Sequence, residues 1–144
     1  MKVIKLLFPC LLIGLFLVAC GDKDEAVSKN EYEEFRDQIG SKDFTGFAYI
    51  LSDYKAEEED YLSVIQDIFE KEEESLIYTN VQTASDEISD QFNEDSKRKD
   101  LYLPKDEIAY IQDGEMVSNY EVTEDIYTNE GNKELATFIR KHKE

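Results

Sequence analysis

Cysteine, proline, histidine and tryptophan are all scarce in this 144-residue chain: two Cys, two Pro, one His and no Trp. The two cysteines, Cys10 and Cys20, both lie in the first twenty residues. The body of the chain therefore holds no disulfide, Cys-x-x-Cys pair or zinc-thiolate set. A single histidine, His142, cannot assemble a His-based zinc site or a Ser-His-Asp triad, and near a basic C-terminus it reads as a solvated helix end. Neither GxGxxG nor GxxxxGK[ST] occurs, so no phosphate-cradling loop is recognisable. No cofactor and no metal site are expected.

Positive charge is also short, with 16 Lys and Arg against 34 Asp and Glu and a net charge of −18. Such a surface repels nucleic acid and anionic head groups, so a nucleic-acid partner is not expected and membrane contact should run through a lipid only. Among so many acids some pair always fits a glycosidase spacing, so carboxylate pairs carry no signal. No Asp-rich calcium loop is present, and the acidic runs Glu57 to Asp60 and Asp86, Glu87, Asp90 read as solvated faces. Nine Tyr and eight Phe supply the apolar mass that a disordered acidic chain lacks, so folding is expected.

The one long apolar run stands at the start. Lys2 and Lys5 precede Leu6 to Val18, which is short for a membrane span and reads as the apolar core of an export signal. Leu17-Val18-Ala19-Cys20 resembles the lipobox of bacterial lipoproteins, a small residue ahead of a cysteine whose thiol receives a diacylglycerol. The alternatives are an uncleaved anchor helix and an ordinary signal with a chance cysteine; both still place the domain outside. The resemblance implies a signal peptide over 1-19, a mature start at lipidated Cys20, a tether over 20-27 and one domain over 28-144. It also implies that Cys10 leaves with the signal, and that the protein is held on the extracytoplasmic face of the cell membrane. Two acyl chains anchor stably where one does not.

Along the rest of the chain, Ser28 and Glu31 form a capping-box signature before a helix carrying Tyr32, Phe35 and Ile39, which Gly40 ends. Phe44 to Leu51 is almost wholly apolar and predicts a strand buried on both faces. Tyr61, Leu62, Ile65, Ile68 and Phe69 predict one helix from Ala56 to about Glu72, and Ser75 to Val81 a second strand, hence a parallel βαβ unit. A polar helix capped by Thr83 follows with Ile88 and Phe92, then a mobile charged connection to Pro104. Ile108 to Ile111 and Met116 to Val122 flank Asp113-Gly114, a hairpin. After a polar loop through Asn129 and Gly131, a last helix carries Leu135, Phe138 and Ile139.

The order, an N-terminal helix then β-α-β-α-β-β-α, resembles the thioredoxin fold over nearly all of Ser41 to Lys143. The stretch Ile108 to Val117 is similar to the third-strand hairpin of that fold. The resemblance implies an α/β domain with a mixed central sheet and a C-terminal antiparallel hairpin. It also implies a site at the end of the first long strand. Thioredoxins carry Cys-x-x-Cys there; here Ser52-Asp53-Tyr54-Lys55 stands in its place, followed by Ala56-Glu57-Glu58-Glu59. The clustered carboxylates would oppose any thiolate. Counting back from Gly114 puts the family's cis-proline position near Asp106, with Pro104 two residues earlier.

The expectation is accordingly a lipoprotein with a non-catalytic thioredoxin-like domain, not an enzyme, acting as a binding or accessory module for an unknown protein or envelope partner. The alternative is a small acidic structural lipoprotein of the cell wall or peptidoglycan. Contact residues are expected at Ser52, Asp53, Tyr54, Lys55 and Asp106, with the other tyrosines in the core.

Overall fold

Phe47, Ala48, Tyr49, Ile50 and Leu51 are all buried, which is possible only for a strand with protein on both faces. In the computed structural model, which describes residues 25–143, these residues form β2 (Gly46–Leu51), the middle strand of a five-stranded sheet. Parallel to β2 runs β3 (Leu76–Asn80), with Phe47 opposite Leu76 and Leu51 opposite Asn80. On the other side lies β4 (Glu107–Gln112), antiparallel, and beyond it β5 (Glu115–Glu121). The parallel βαβ unit and the hairpin are present as predicted. Asp113 and Gly114 both take positive φ, 54° and 76°, as the tight turn requires. A Cβ on Gly114 would stand 2.6 Å from the Ser41 carbonyl oxygen, so glycine is required there for space as well as conformation.

Alternation along β2 sorts the core into two layers. Phe47, Tyr49 and Leu51 face α3 (Tyr61–Glu72) and α5 (Asn129–Lys141), packing with Ile65, Phe69, Leu135 and Ile139. Ala48 and Ile50 face α1 (Tyr32–Ile39) and α4 (Asp86–Asp95), packing with Tyr32, Phe35, Ile39 and Phe92. Helices on both faces of a mixed sheet, in strand order β1-β3-β2-β4-β5, make the fold thioredoxin-like.

The structure corrects several local expectations. A three-residue edge strand, β1 (Val27–Lys29), pairs parallel with β3 ahead of the first helix, so the sheet begins at Val27. Ser28 therefore lies in a strand. The helix starts after Glu31, which makes no side-chain cap, and the Ser28 hydroxyl donates to the Glu25 carbonyl instead. The expected helix from Ala56 to Glu72 is two: α2 (Tyr54–Glu58) and α3, broken where Asp60 turns to φ 55°. Four consecutive acids, Glu57 to Asp60, repel one another if wound into one turn, and the chain bends there. Ser85, rather than Thr83, caps α4 by accepting from the Ile88 N–H at 3.4 Å.

After β5 a short 3-10 turn, Glu124–Tyr127, leads into α5, whose cap is Thr128. Asn129 and Gly131 fall inside that helix, not in a loop. The connection ahead of β4 is packed, since Tyr102 and Leu103 lie against the α1/α4 layer.

Candidate functional site

At the C-terminal end of β2 the chain turns through Ser52 and Asp53 into α2. Asp53 caps that helix, its carboxylate accepting from the Lys55 N–H at 2.9 Å. Opposite them is Asp106, in the left-handed region at φ 54° just ahead of β4. Its Oδ1 accepts from the backbone N–H groups of Ser52 at 2.7 Å and Asp53 at 2.8 Å, and its Oδ2 accepts from the Ser52 hydroxyl at 2.6 Å. Its own N–H donates to the Ile50 carbonyl at 2.8 Å, and its carbonyl accepts from the Val122 N–H at 3.1 Å. One residue thus joins β2, β4 and the end of β5. The described peptide bonds are all trans, Pro104 included. Where a cis-proline was counted, a side-chain carboxylate closes the gap between the strand ends.

Beside this tie opens a cleft of about 540 Å³, lined by Asp53, Lys55, Lys105, Asp106, Glu107, Asn119, Glu121 and Glu124 among others. Its walls are mainly polar, with acidic side chains outnumbering the two lysines. Lys55 Nζ bridges the mouth to Glu124 Oε2 at 2.5 Å. The hydrogen bond and charge of Glu124 hold the Lys55 ammonium above its ordinary value, and Lys55 lowers Glu124 in return. Glu107 is held from two sides, by the Tyr102 hydroxyl and the Asn119 amide.

Beneath this end of the sheet the Tyr49 hydroxyl is fully buried with no hydrogen-bond partner among the described residues. Burial raises its pKa, and the charges of Asp106 and Asp53 add to the effect. The ring lies in the core, as expected of this tyrosine.

Of the expected contact residues, Asp53, Lys55 and Asp106 line this cleft, and Ser52 is hydrogen-bonded to Asp106 beside it. Tyr54 is 66 % exposed at the start of α2 and lies on the outside of the cleft, not in its wall. Ser52 also borders a smaller hollow of about 220 Å³ with Gln82, whose amide donates to the Ser52 carbonyl. Asn119, Glu121 and Glu124 were not foreseen. No local pattern marks them; the hairpin register brings Asn119 and Glu121 to this end of the sheet, and the turn after β5 brings Glu124. Cys20 lies outside the described residues.

A second side-chain cluster corrects the reading of His142. Its ring stacks on Tyr110 at 4.4 Å and 18°, meets Phe138 edge-on, and its Nε2 stands 2.6 Å from the Ser118 hydroxyl. The histidine is a half-buried joint between α5 and the hairpin rather than a solvated end. Burial, followed by the Lys141 charge, lowers its pKa.

Among the described residues no group of three or more His, Cys, Asp or Glu side chains is placed to hold a metal ion, and no helix is long and apolar enough to cross a membrane.

Neither a protein-family model nor a curated protein matches the chain. Among solved structures it is similar to one described as "A putative oxidoreductase with a thioredoxin fold". The two are 19 % identical, the match covers 78 % of this chain and 94 % of that one, and the TM-score is 0.46. That description stands against the expectation that a chain of this fold is not an enzyme. No cysteine occurs in residues 25–143, so the β2–α2 junction itself offers no thiol.

Proposed function

We propose that this chain is a lipid-anchored protein of the extracytoplasmic face of a bacterial membrane, with its thioredoxin-like domain serving as a binding or accessory module. Residues 1-19 would be the signal peptide and Cys20 the lipidated start of a tether that ends where Ala26 and Val27 join the sheet, two residues ahead of the expected domain start at 28, with the domain joined to the membrane through diacylglyceryl-Cys20. The order of charge, apolar run and Leu17-Val18-Ala19-Cys20 supports the anchor. The observation that carries the module is the cleft itself. Asp106 fixes the strand ends by five hydrogen bonds, counting side chain and backbone, and leaves a concave polar surface beside them.

A cleft formed by rigid strand ends is suited to recognition, because its walls need no ordering when a partner arrives. Ser52, Asp53, Lys55 and Asp106 are the proposed contact positions, with Tyr54 on the rim. The partner is a protein or another envelope component carrying positive charge to meet the acidic walls.

The test is a photo-crosslinking residue at Tyr54 of the full-length chain, compared with one at Glu115 at the far end of the hairpin. A discrete adduct from position 54, absent from position 115, is the expected result. Equal, diffuse adducts from both sites would remove the module reading.

A second reading, a structural lipoprotein held to the cell wall or peptidoglycan by its acidity, is favoured by the net charge of −18. Salt-sensitive retention on purified wall, unaffected by substitutions in the cleft, would select it.

A further inference from the structure

The chain enters the sheet at the end opposite the cleft. Val27 pairs with Leu76, and Leu76 with Phe47, so β1 begins level with the start of β2. One residue earlier, the Ala26 carbonyl still accepts from the Leu76 N–H at 2.8 Å, and Ala26 packs on the core. Ala26 is thus a fixed point, level with Gly46. The cleft lies past the other end of β2, at Asp53. Seven residues along the strand direction separate the two levels, or ~23 Å at about 3.3 Å per residue.

Only six residue steps link Cys20 to Ala26. Fully stretched they span ~20 Å at about 3.4 Å each, and a flexible chain of that length averages only ~13 Å end to end. At its average length the tether falls well short of the distance needed to run back alongside the sheet and bring the cleft down to the lipid, and only a fully taut one, with the thioether-linked glyceryl group added, approaches it. We infer that the tether holds the domain with the hairpin turn and the C-terminal end of α5 toward the bilayer, and with the cleft facing away from it. This rests on the proposed lipid anchor at Cys20. It assigns the cleft a partner that stands off the membrane, in the aqueous or wall-side space, and excludes a lipid head group of the same bilayer.

The consequence can be read with two fluorophores. Cys20 is consumed by lipid and Cys10 leaves with the signal, so a cysteine introduced into the full chain is the only free thiol. Tyr54→Cys and Glu115→Cys place a dye at opposite ends of the domain, both at exposed positions. With the lipidated protein in liposomes that carry a head-group quencher, the dye at 115 should be quenched roughly threefold or more over the dye at 54. Inserting about fifteen Gly and Ser residues after Gly21 should erase that difference, because the lengthened tether then exceeds the sheet.

Equal quenching in the native-length protein, or stronger quenching at 54, would overturn the orientation while leaving the anchor standing. A purified protein with no acyl chains on Cys20 would overturn the anchor, and the orientation with it.

Discussion

Asp106 and Ser52 are joined twice, once through the Ser52 N–H at 2.7 Å and once through its hydroxyl at 2.6 Å, across 54 positions of sequence. The same carboxylate accepts the Asp53 N–H, so three donors at the end of β2 depend on one side chain. Charge-assisted hydrogen bonds of this length are the stronger kind. They fix the β2–α2 junction relative to the hairpin, and so shape the cleft.

Replacing Asp106 by Ala should therefore cost about 2 kcal/mol of unfolding free energy, since backbone donors lose their acceptor. Asp106→Asn should cost less, because Asn tolerates the left-handed backbone and keeps one acceptor oxygen. Chemical denaturation ranks the two variants. A cost for Asn equal to that for Ala would mean that the charge, not the acceptor count, holds the junction.

Tyr49 is the reverse case. Its ring fills the centre of the sheet, while its hydroxyl is buried without a partner. Removing an unpaired buried polar atom relieves a desolvation penalty, so Tyr49→Phe should raise stability by about 1 kcal/mol. A lower denaturation midpoint in the Phe variant would show that the hydroxyl does find a partner.

Gly131 sits in the first turn of α5, where helix propensity alone would favour alanine by about 1 kcal/mol. A Cβ at that position, however, would stand 2.1 Å from the Asp125 carbonyl oxygen. That contact is with backbone and cannot be relieved by a rotamer. Gly131→Ala should destabilise by about 2 kcal/mol, against its propensity, and thermal unfolding gives the sign directly.

Asp95, 7 % exposed, accepts from the Tyr32 hydroxyl at 3.0 Å and from Arg36 at 3.1 Å. Burial works against its charge, but the hydrogen bonds from Arg36 and Tyr32 outweigh it and hold the carboxyl below its ordinary value. A carboxyl lowered by folding contributes stability above its unfolded pKa of about 3.9, and loses that contribution as pH falls through the folded value. Asp95→Asn should flatten the acid limb of the stability curve below about pH 4. An unchanged acid limb would show that the pair contributes nothing to the acid dependence.

The parallel βαβ unit and the hairpin were legible in the sequence because each is signalled locally: an unbroken apolar run from Phe47 to Leu51, helical spacing from Tyr61 to Phe69, and Asp113-Gly114 between alternating strands. β1 was not legible. Three residues with a single buried side chain, Val27, carry no period, and the strand exists only because β3 offers an unpaired edge. The break at Asp60 was hidden because carboxylates that suit a helix start also repel each other within a turn.

The site was half legible. Ser52, Asp53, Lys55 and Asp106 were reached through the resemblance, whereas Asn119 and Glu121 arrive by strand register and Glu124 by the turn after β5, which no short window encodes. His142 was misread for the same reason: its partners Tyr110 and Ser118 face each other across β4 and β5, far from it in sequence.

Everything proposed about location and orientation depends on the chemistry of one residue, and mass spectrometry of the mature N-terminal peptide tests it most directly. The account predicts a peptide that begins at Cys20 and carries a diacylglyceryl thioether, and predicts that Cys20→Ser removes the lipid. An N-terminus elsewhere, or an unmodified thiol at Cys20 in the membrane-associated protein, would contradict it.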